Sequence, residues 1–534
     1  MKTLFLLLFS SLCLSSALKA NDYTVTVKGF VFGIDKSRAP GKQRFPLAGL
    51  KIELMDSDAD GSQIFDDLMG TAVVNADGSF TVSGKGGDPG SFSFSKPDVY
   101  VRFVYNYYDK VRLTDELNRT RYTNTPEHDH NDFEGTLDIG TWEIGNDLAA
   151  GEASMCGVWE QVCRAWDNYV ALMGEAPKSG YCDVEYWSAI AAGTPWTNDN
   201  TIHWPMHYTS SAAAHEFGHI IRHSFDGDRN HFNWDVTRFR YARNHSSCDP
   251  SCNNWSTESA DMNRGFAFNE GWAEFWSDEN TCNPKYSSEC EGGVAHILKD
   301  LEQTLAKSNP QPRKLMCRVL KNNPGSIHSV EEFIAKLNAQ QSGVPYVLNI
   351  ARLPRYVEVK FSPVPPVMKQ ATVAYAATRL QKITQNIQAL NTVISTTKAN
   401  EKLMLTCQGN DCNKYAEQLI TLAATQNEKE RLVLQQQLFQ KGGQGNYYDD
   451  IFKMRLNNSI DPLMKGIKDD YNKRVNDIDL RALKDAIGRL QGIKNKSPYI
   501  TSLIAELNEH MKKASLTKAL YSAYKEETAA KSNQ

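Results

Sequence analysis

Residues 213–225 read AAHEFGHIIRHSF, and how this stretch folds decides how the middle of the chain is read. Three alanines precede the first histidine, and Ile220 and Ile221 follow the second. Alanine has the highest helix propensity and the paired isoleucines supply an apolar face, so a partly buried helix is expected here. Residues four apart on a helix share a face, which sets His215 beside His219 with Glu216 leaning toward the same side. That set suits zinc chemistry. Neutral imidazoles bind the ion, its charge lowers the pKa of a bound water toward neutrality, and a carboxylate such as Glu216 serves as general base while that water attacks a carbonyl.

One H-E-x-x-H is weak evidence, because zinc held by protein needs a third ligand. The position six residues after His219 is Phe225, which cannot coordinate and excludes the metzincin pattern. Downstream, 266-FAFNEGWAEFWSD-278 is a second helical stretch with Phe268, Trp272, Phe275 and Trp276 available to pack it. Glu270 and Glu274 lie four apart on it, so Glu270 is the expected third metal ligand. Glu274 is placed to hydrogen-bond a ligand imidazole and fix its tautomer. His223, Asp226, His231 and Asp235 are the rival third ligands. Tyr208, His231, Tyr241, Tyr286, His296 and His328 are all eligible by type to stabilise an oxyanion, and the sequence does not choose among them. The segment 201-TIHWP-205 is a candidate edge strand for an extended substrate.

Over about 150–330 this pairing of motifs resembles the gluzincins, zinc peptidases of the thermolysin-like and aminopeptidase-like kind. His215, Glu216 and His219 match the first motif, Asn269-Glu270 the second, and Glu274 the site of an acidic supporting residue. The run 291-EGGVAHILKDL-301 is similar to a helix that recurs in secreted zincins. The resemblance implies a zinc metalloendopeptidase acting on protein or peptide substrates. The chain departs from the pattern in the long interval between His219 and Glu270, which carries Cys248, Cys252 and 231-HFNWDVTRFRYARNH-245. A disulfide-held flap and a surface decoration are both open readings of it. The alternative for the whole chain is a surface or adhesive binding protein with an inactive zincin fold.

Outward from this centre, residues 23–145 alternate apolar and polar positions, as in 23-YTVTVKGFVF-32 and 99-VYVRFVY-105, which predicts an antiparallel β-sandwich. The run 45–84, with its N-A-D-G-S-F turn, resembles transthyretin-like sandwich modules. Within it Asp56, Asp58, Asp60 and Gly61, with Asp67 in the twelfth position, imitate a calcium loop. Aspartate in place of the closing glutamate and strand-like flanks favour a solvated acidic turn instead. After 345 comes a Pro-bearing connector, 353-LPRYVEVKFSPVPPVMK-369, and then a helical text. Val373, Ala376, Leu380, Ile383, Ile387, Leu390 and Ile394 form a heptad seam. The expected organisation is a signal peptide (1–20), a β-sandwich (21–147), an α+β zincin-like catalytic domain (148–345), a linker (346–369) and an α-helical bundle (370–534) that binds a partner or self-associates.

The signal expectation rests on Lys2, the largely apolar run Leu4–Leu14 and the small residues Ser15, Ser16 and Ala17. It implies a secreted, extracellular or periplasmic protein, and no later segment reads as membrane-spanning. Among 534 residues, 41% hydrophobic and 23% charged content with a formal charge of -4 exclude a polyanion partner such as nucleic acid. Beyond Cys13, cysteines stand at 156, 163, 182, 248, 252, 282, 290, 317, 407 and 412. An even set in an exported chain predicts disulfides, with 248–252, 282–290 and 407–412 as plausible bridges.

Overall fold

The computed structural model describes residues 23–57, 66–87, 96–115, 119–127, 129–145, 153–186, 188, 195–198, 200–205, 208–226, 260–278, 288, 291–340, 366–408, 411–442, 460–512 and 514–515. Its N-terminal part is rich in sheet, its C-terminal part is helical, and the whole is an α+β, multidomain-like arrangement.

β1 (Tyr23–Ile34) follows the period-two rule, burying Val25, Val27 and Val31 while its alternate residues face outward. It is the hub of the first sheet. β2 (Arg44–Pro46) and β5 (Ser79–Gly86) pair with it antiparallel, and β10 (Gly135–Ile144) pairs with it parallel. The fully antiparallel arrangement predicted from alternation is therefore corrected. Alternation reports which face a strand buries and carries no information on strand direction. The second sheet is antiparallel throughout, in the order β4 (Asp67–Val73), β3 (Lys51–Asp56), β6 (Val99–Val104), β9 (Tyr122–Asn124). The N-A-D-G-S-F turn carries the chain from one sheet to the other, because β4 pairs with β3 whereas β5 pairs with β1. Gly78 takes φ 89°, and Asp77 accepts hydrogen bonds from the main-chain N–H and hydroxyl of Ser79. Those bonds hold the Asp77 carboxyl below its ordinary pKa.

A third sheet is built from both sides of position 147. Its order is β12 (Trp196–Asn198), β13 (Thr201–Trp204), β11 (Cys182–Tyr186), β8 (Val111–Thr114), β7 (Asn106–Tyr107). β8 and β13 both run parallel to β11, and the edge strands are antiparallel to their neighbours. Across β8 and β11, Arg112 grips Asp183 with two hydrogen bonds of 2.8 and 2.7 Å. α1 (Met155–Met173) starts at Ser154, whose hydroxyl caps the N–H of Gly157, and it buries Val158, Trp159, Val162 and Trp166. One hydrophobic core consequently runs from Val25 through α1 and the third sheet to Leu337.

The helices that follow are α2 (Ala212–Asp226), α3 (Ala260–Ser277), α4 (Glu291–Ala306), α5 (Pro312–Asn322) and α6 (Val330–Gln340). Further along come α7 (Pro366–Leu405), α8 (Asp411–Gly442), α9 (Ile460–Gly492) and α10 (residues 498–512). On the seam of α7, Ile383 and Ile394 are buried, and Leu380 and Ile387 pack with Leu432 of α8 around Ile383. The side chains of Val373 and Ala376 lie outside the described ones. A separate core joins Leu419 and Ala423 of α8, Leu483 and Leu490 of α9, and Ile500 and Leu503 of α10. Among the described residues, no helix is long and apolar enough to cross a membrane.

Cys407 and Cys412 form a disulfide at the turn between α7 and α8. Cys156, Cys163, Cys182 and Cys317 are free and buried, which corrects the expectation that the whole set pairs. Counting cysteines cannot separate a bridge from a thiol used as a small core residue. Cys248, Cys252, Cys282 and Cys290 lie outside the described residues. Burial pushes the Cys156 thiol up to about 11, Cys317 to about 12, and Cys163 and Cys182 well above their ordinary value. Alkylation of the native protein at neutral pH, read by peptide mass spectrometry, should leave these four unlabelled until denaturant is added. Labelling of any of them in the folded protein would contradict their burial.

Candidate metal centre

α2 carries His215, Glu216 and His219, and α3 carries Glu270 and Glu274. The apolar sides of both helices fix how they lie. Phe217, Ile220 and Ile221 of α2 and Phe268, Trp272 and Phe275 of α3 are fully buried in the shared core, so the polar residues between them are held on the crossing. Gly218 lets the two helices touch. A Cβ there would stand 2.9 Å from the Cα of Ala273, and one at Gly271 would stand 2.6 Å from the carbonyl oxygen of Glu291 on α4. Arg222, buried one turn beyond His219, donates a 2.6 Å hydrogen bond to the carbonyl of Ile327 and ties α2 to the chain ahead of α6.

The crossing brings Glu270 onto the histidine pair. Its Oε2 lies 3.4 Å from Nε2 of His215 and 3.2 Å from Nε2 of His219. The imidazoles stand 5.1 Å apart between centroids with their planes inclined by 77°. Two donors each about 2.0–2.1 Å from a tetrahedral zinc are separated by about 3.3 Å, so the spacing of Glu270 from each imidazole fits that ion. The side chains are 12%, 11% and 9% exposed, so the donors are largely desolvated without being sealed from solvent. His223 is half-buried on α2 and stands outside this group. The side chain of Asp226, and His231 and Asp235 altogether, lie outside the described residues.

Glu216 is buried beside this group. The hydroxyl of Thr197 donates to it, 2.7 Å from Oε2 and 3.0 Å from its main-chain oxygen. Thr197 belongs to β12, which is the edge of the third sheet among the described residues. The segment 201–204, expected as the edge, is an inner strand between β12 and β11. Trp196 stacks on His203 with centroids 4.3 Å apart, and His203 Nδ1 lies 3.4 Å from Glu185 Oε2, so β12 is fixed from the face opposite Thr197. Sequence reasoning missed Thr197 and Arg222, since a lone threonine and an arginine on an apolar helix carry no motif. Glu274 is buried one turn past Glu270. Of the oxyanion candidates, Tyr208, His296 and His328 are half-buried, and His231, Tyr241 and Tyr286 lie outside the described residues.

In the acidic run, Asp56 and Asp67 face each other across β3 and β4. Asp56 accepts the N–H groups of Asp98 and Gly87 at 2.8 and 3.0 Å. Asp58 and Asp60 lie outside the described residues.

No family model and no curated protein matches the chain. Among solved structures, it is similar to a 9R-lipoxygenase from Cyanothece PCC8801 at 11% identity and a TM-score of 0.15, over 75% of this chain and 66% of the length of that one. A likeness of that size defines no shared fold. The resemblances to gluzincins and to transthyretin-like modules are corrected by these comparisons, which give neither family. Both rested on short segments fixed by local physics. A close helix crossing can bring two imidazoles and a carboxylate together in unrelated folds, and a glycine at positive φ serves many tight turns.

Filling the space at the crossing should loosen the centre. Gly218→Ala is expected to cost about 1–3 kcal/mol of stability through overpacking against Ala273. It should also weaken zinc retention, as measured by thermal unfolding and competition with a chelator. Unchanged zinc affinity would show that the close approach is not what sets the ligands.

Proposed function

We propose that this chain is an exported zinc-dependent hydrolase that cleaves peptide bonds, with His215, His219 and Glu270 holding the metal and Glu216 acting as general base. The observation that carries the reading is the convergence of three ligand atoms on the crossing of α2 and α3. Zinc there would supply Lewis acidity, polarising the scissile carbonyl and lowering the pKa of a water. Glu216 follows the first ligand directly, and the Thr197 hydroxyl orients its carboxylate to take up a proton. β12 supports a peptide as the substrate. It is an edge strand whose central residue touches the general base, so an extended segment added to it by main-chain hydrogen bonding lies along the site. Glu274 supports the ligands from one turn away.

In the same reading, the first two sheets form the faces of a β-sandwich, and the third sheet, which takes β7 and β8 from before position 147, joins α1–α6 in an α+β hydrolase unit that shares their core. The C-terminal helices form a bundle for partner binding or self-association. Export rests on the opening segment, residues 1–20, which lies outside the described residues.

Elemental analysis of the purified chain should find zinc that Glu270→Ala loses. Glu216→Gln should keep the metal while cleavage of a peptide library falls roughly 10²–10⁴-fold. Zinc bound without any turnover would make the protein a binding module. Thr197→Val should lower kcat/KM by about tenfold, the value of one hydrogen bond to a carboxylate, with zinc content unchanged. Full activity in that variant would remove Thr197 from the mechanism.

A further inference from the structure

A second group of ligand-type side chains lies away from the α2–α3 crossing. Glu506 and His510 are four residues apart on α10 and so share a face of that helix. They meet Asp67, the first residue of β4, at the edge of the second sheet. One carboxylate oxygen of Asp67, one of Glu506 and a ring nitrogen of His510 all lie within 4.8 Å of one another. His510 Nε2 stands 3.4 Å from Asp67 Oδ1, the separation found between His215 and Glu270 at the first centre.

We propose that Asp67, Glu506 and His510 form a second divalent-metal site, which takes a first-row transition cation such as zinc and clamps α10 onto the edge of the second sheet. The donor set is one imidazole nitrogen and two carboxylate oxygens. That combination suits borderline cations, whereas calcium takes oxygen donors alone. Asp67 thus leaves the acidic loop in which the sequence places it and serves a mixed set. The His510 side chain is only 10% exposed and one Glu506 carboxylate oxygen is shielded from solvent, while Asp67, at 46%, leaves a way in for the ion.

The other edge of the same sheet also faces the C-terminal helices. Arg431 and Glu428 of α8 lie within electrostatic reach of Tyr122 on β9, and Glu428 also of Arg119 beside it. The helical region therefore meets the sheet at both edge strands, β9 through charged side chains and β4 through the proposed ion. An ion held between residues more than four hundred positions apart stabilises only the docked arrangement, so its binding energy becomes docking energy.

The test is zinc content of the full chain after zinc loading and gel filtration, compared among wild type, Glu270→Ala, His510→Ala and the double variant. About two zinc ions per chain are expected in wild type, about one in each single variant and none in the double variant. Equal zinc in wild type and His510→Ala overturns the proposal. Circular dichroism monitors folding, and Glu506→Gln, which keeps shape and removes charge, must also lose that ion. A chelator should speed proteolytic release of the C-terminal helices in wild type but not in His510→Ala, and identical release rates in both would deny the clamp. Failure of the first centre shows separately, as loss of no zinc in Glu270→Ala, and leaves this inference standing or falling on its own variants.

Discussion

Everything proposed for the first centre depends on one steric allowance, the missing Cβ at Gly218. α2 and α3 approach until the position of that Cβ is 2.9 Å from the Cα of Ala273. At ordinary helix spacing of 8–10 Å set by larger side chains, a glutamate on one helix would not settle between imidazoles on the other. Gly271 repeats the device on the far side of α3, where α4 comes close. Large aromatic residues on both helices then lock the crossing, since Phe217, Phe268 and Trp272 are fully buried. Small residues at the contact and large ones around it give ligand geometry that rests on backbone position, which is stiffer than any arrangement of long side chains.

A second dependence runs from the N-terminal sheet to the same helix. Asp35, fully buried past the end of β1, accepts hydrogen bonds from the N–H and hydroxyl of Ser37, from Arg38 Nε and from the hydroxyl of Ser210, just ahead of α2. Arg38 reaches on to the carbonyl of Gly157 and the carboxylate of Glu160 on α1. A buried carboxylate with this many donors is satisfied, and loss of its arginine would leave a charge stranded at a cost of about 3–5 kcal/mol. The network places the start of α2 relative to β1 and α1, so the N-terminal sheet is part of what positions His215.

How much of this was legible follows from how each feature is encoded. Strand alternation in β1 and the helical character of 213–225 and 266–278 come from local periodicity, and the observed elements agree. The convergence of His215, His219 and Glu270 was readable because two i, i+4 patterns on separate helices constrain each other. Strand direction in β1 and β10, the placement of β8 in the third sheet, and the use of buried cysteines as free thiols were not readable. Each is settled by partners distant in sequence, and no local signal reports a partner. Thr197 belongs to that class, since only the fold brings a strand residue to the carboxylate of Glu216. The family resemblances failed for the complementary reason: the motifs behind them are short enough to be dictated by turn and ligand physics alone.

The two clusters of ligand-type residues obey the same geometric rule. In each, a pair spaced four apart on one helix supplies two donors and a carboxylate from a different element supplies the third. A pair on one helix cannot close a metal site, because both donors approach from one side. The third donor must come from an element that tertiary packing delivers, and ion binding then reports that packing. At the first cluster the delivering contact is a glycine-mediated helix crossing inside the main core, which is rigid. At the second it is the edge of a sheet against a helix whose own core is separate, as the distinct buried cluster of α8, α9 and α10 shows. The same donor arithmetic therefore has opposite consequences. Inside the core the fold holds the ligands and a bound ion would be free to act on a substrate, whereas between two cores a bound ion would be part of what holds the pieces together.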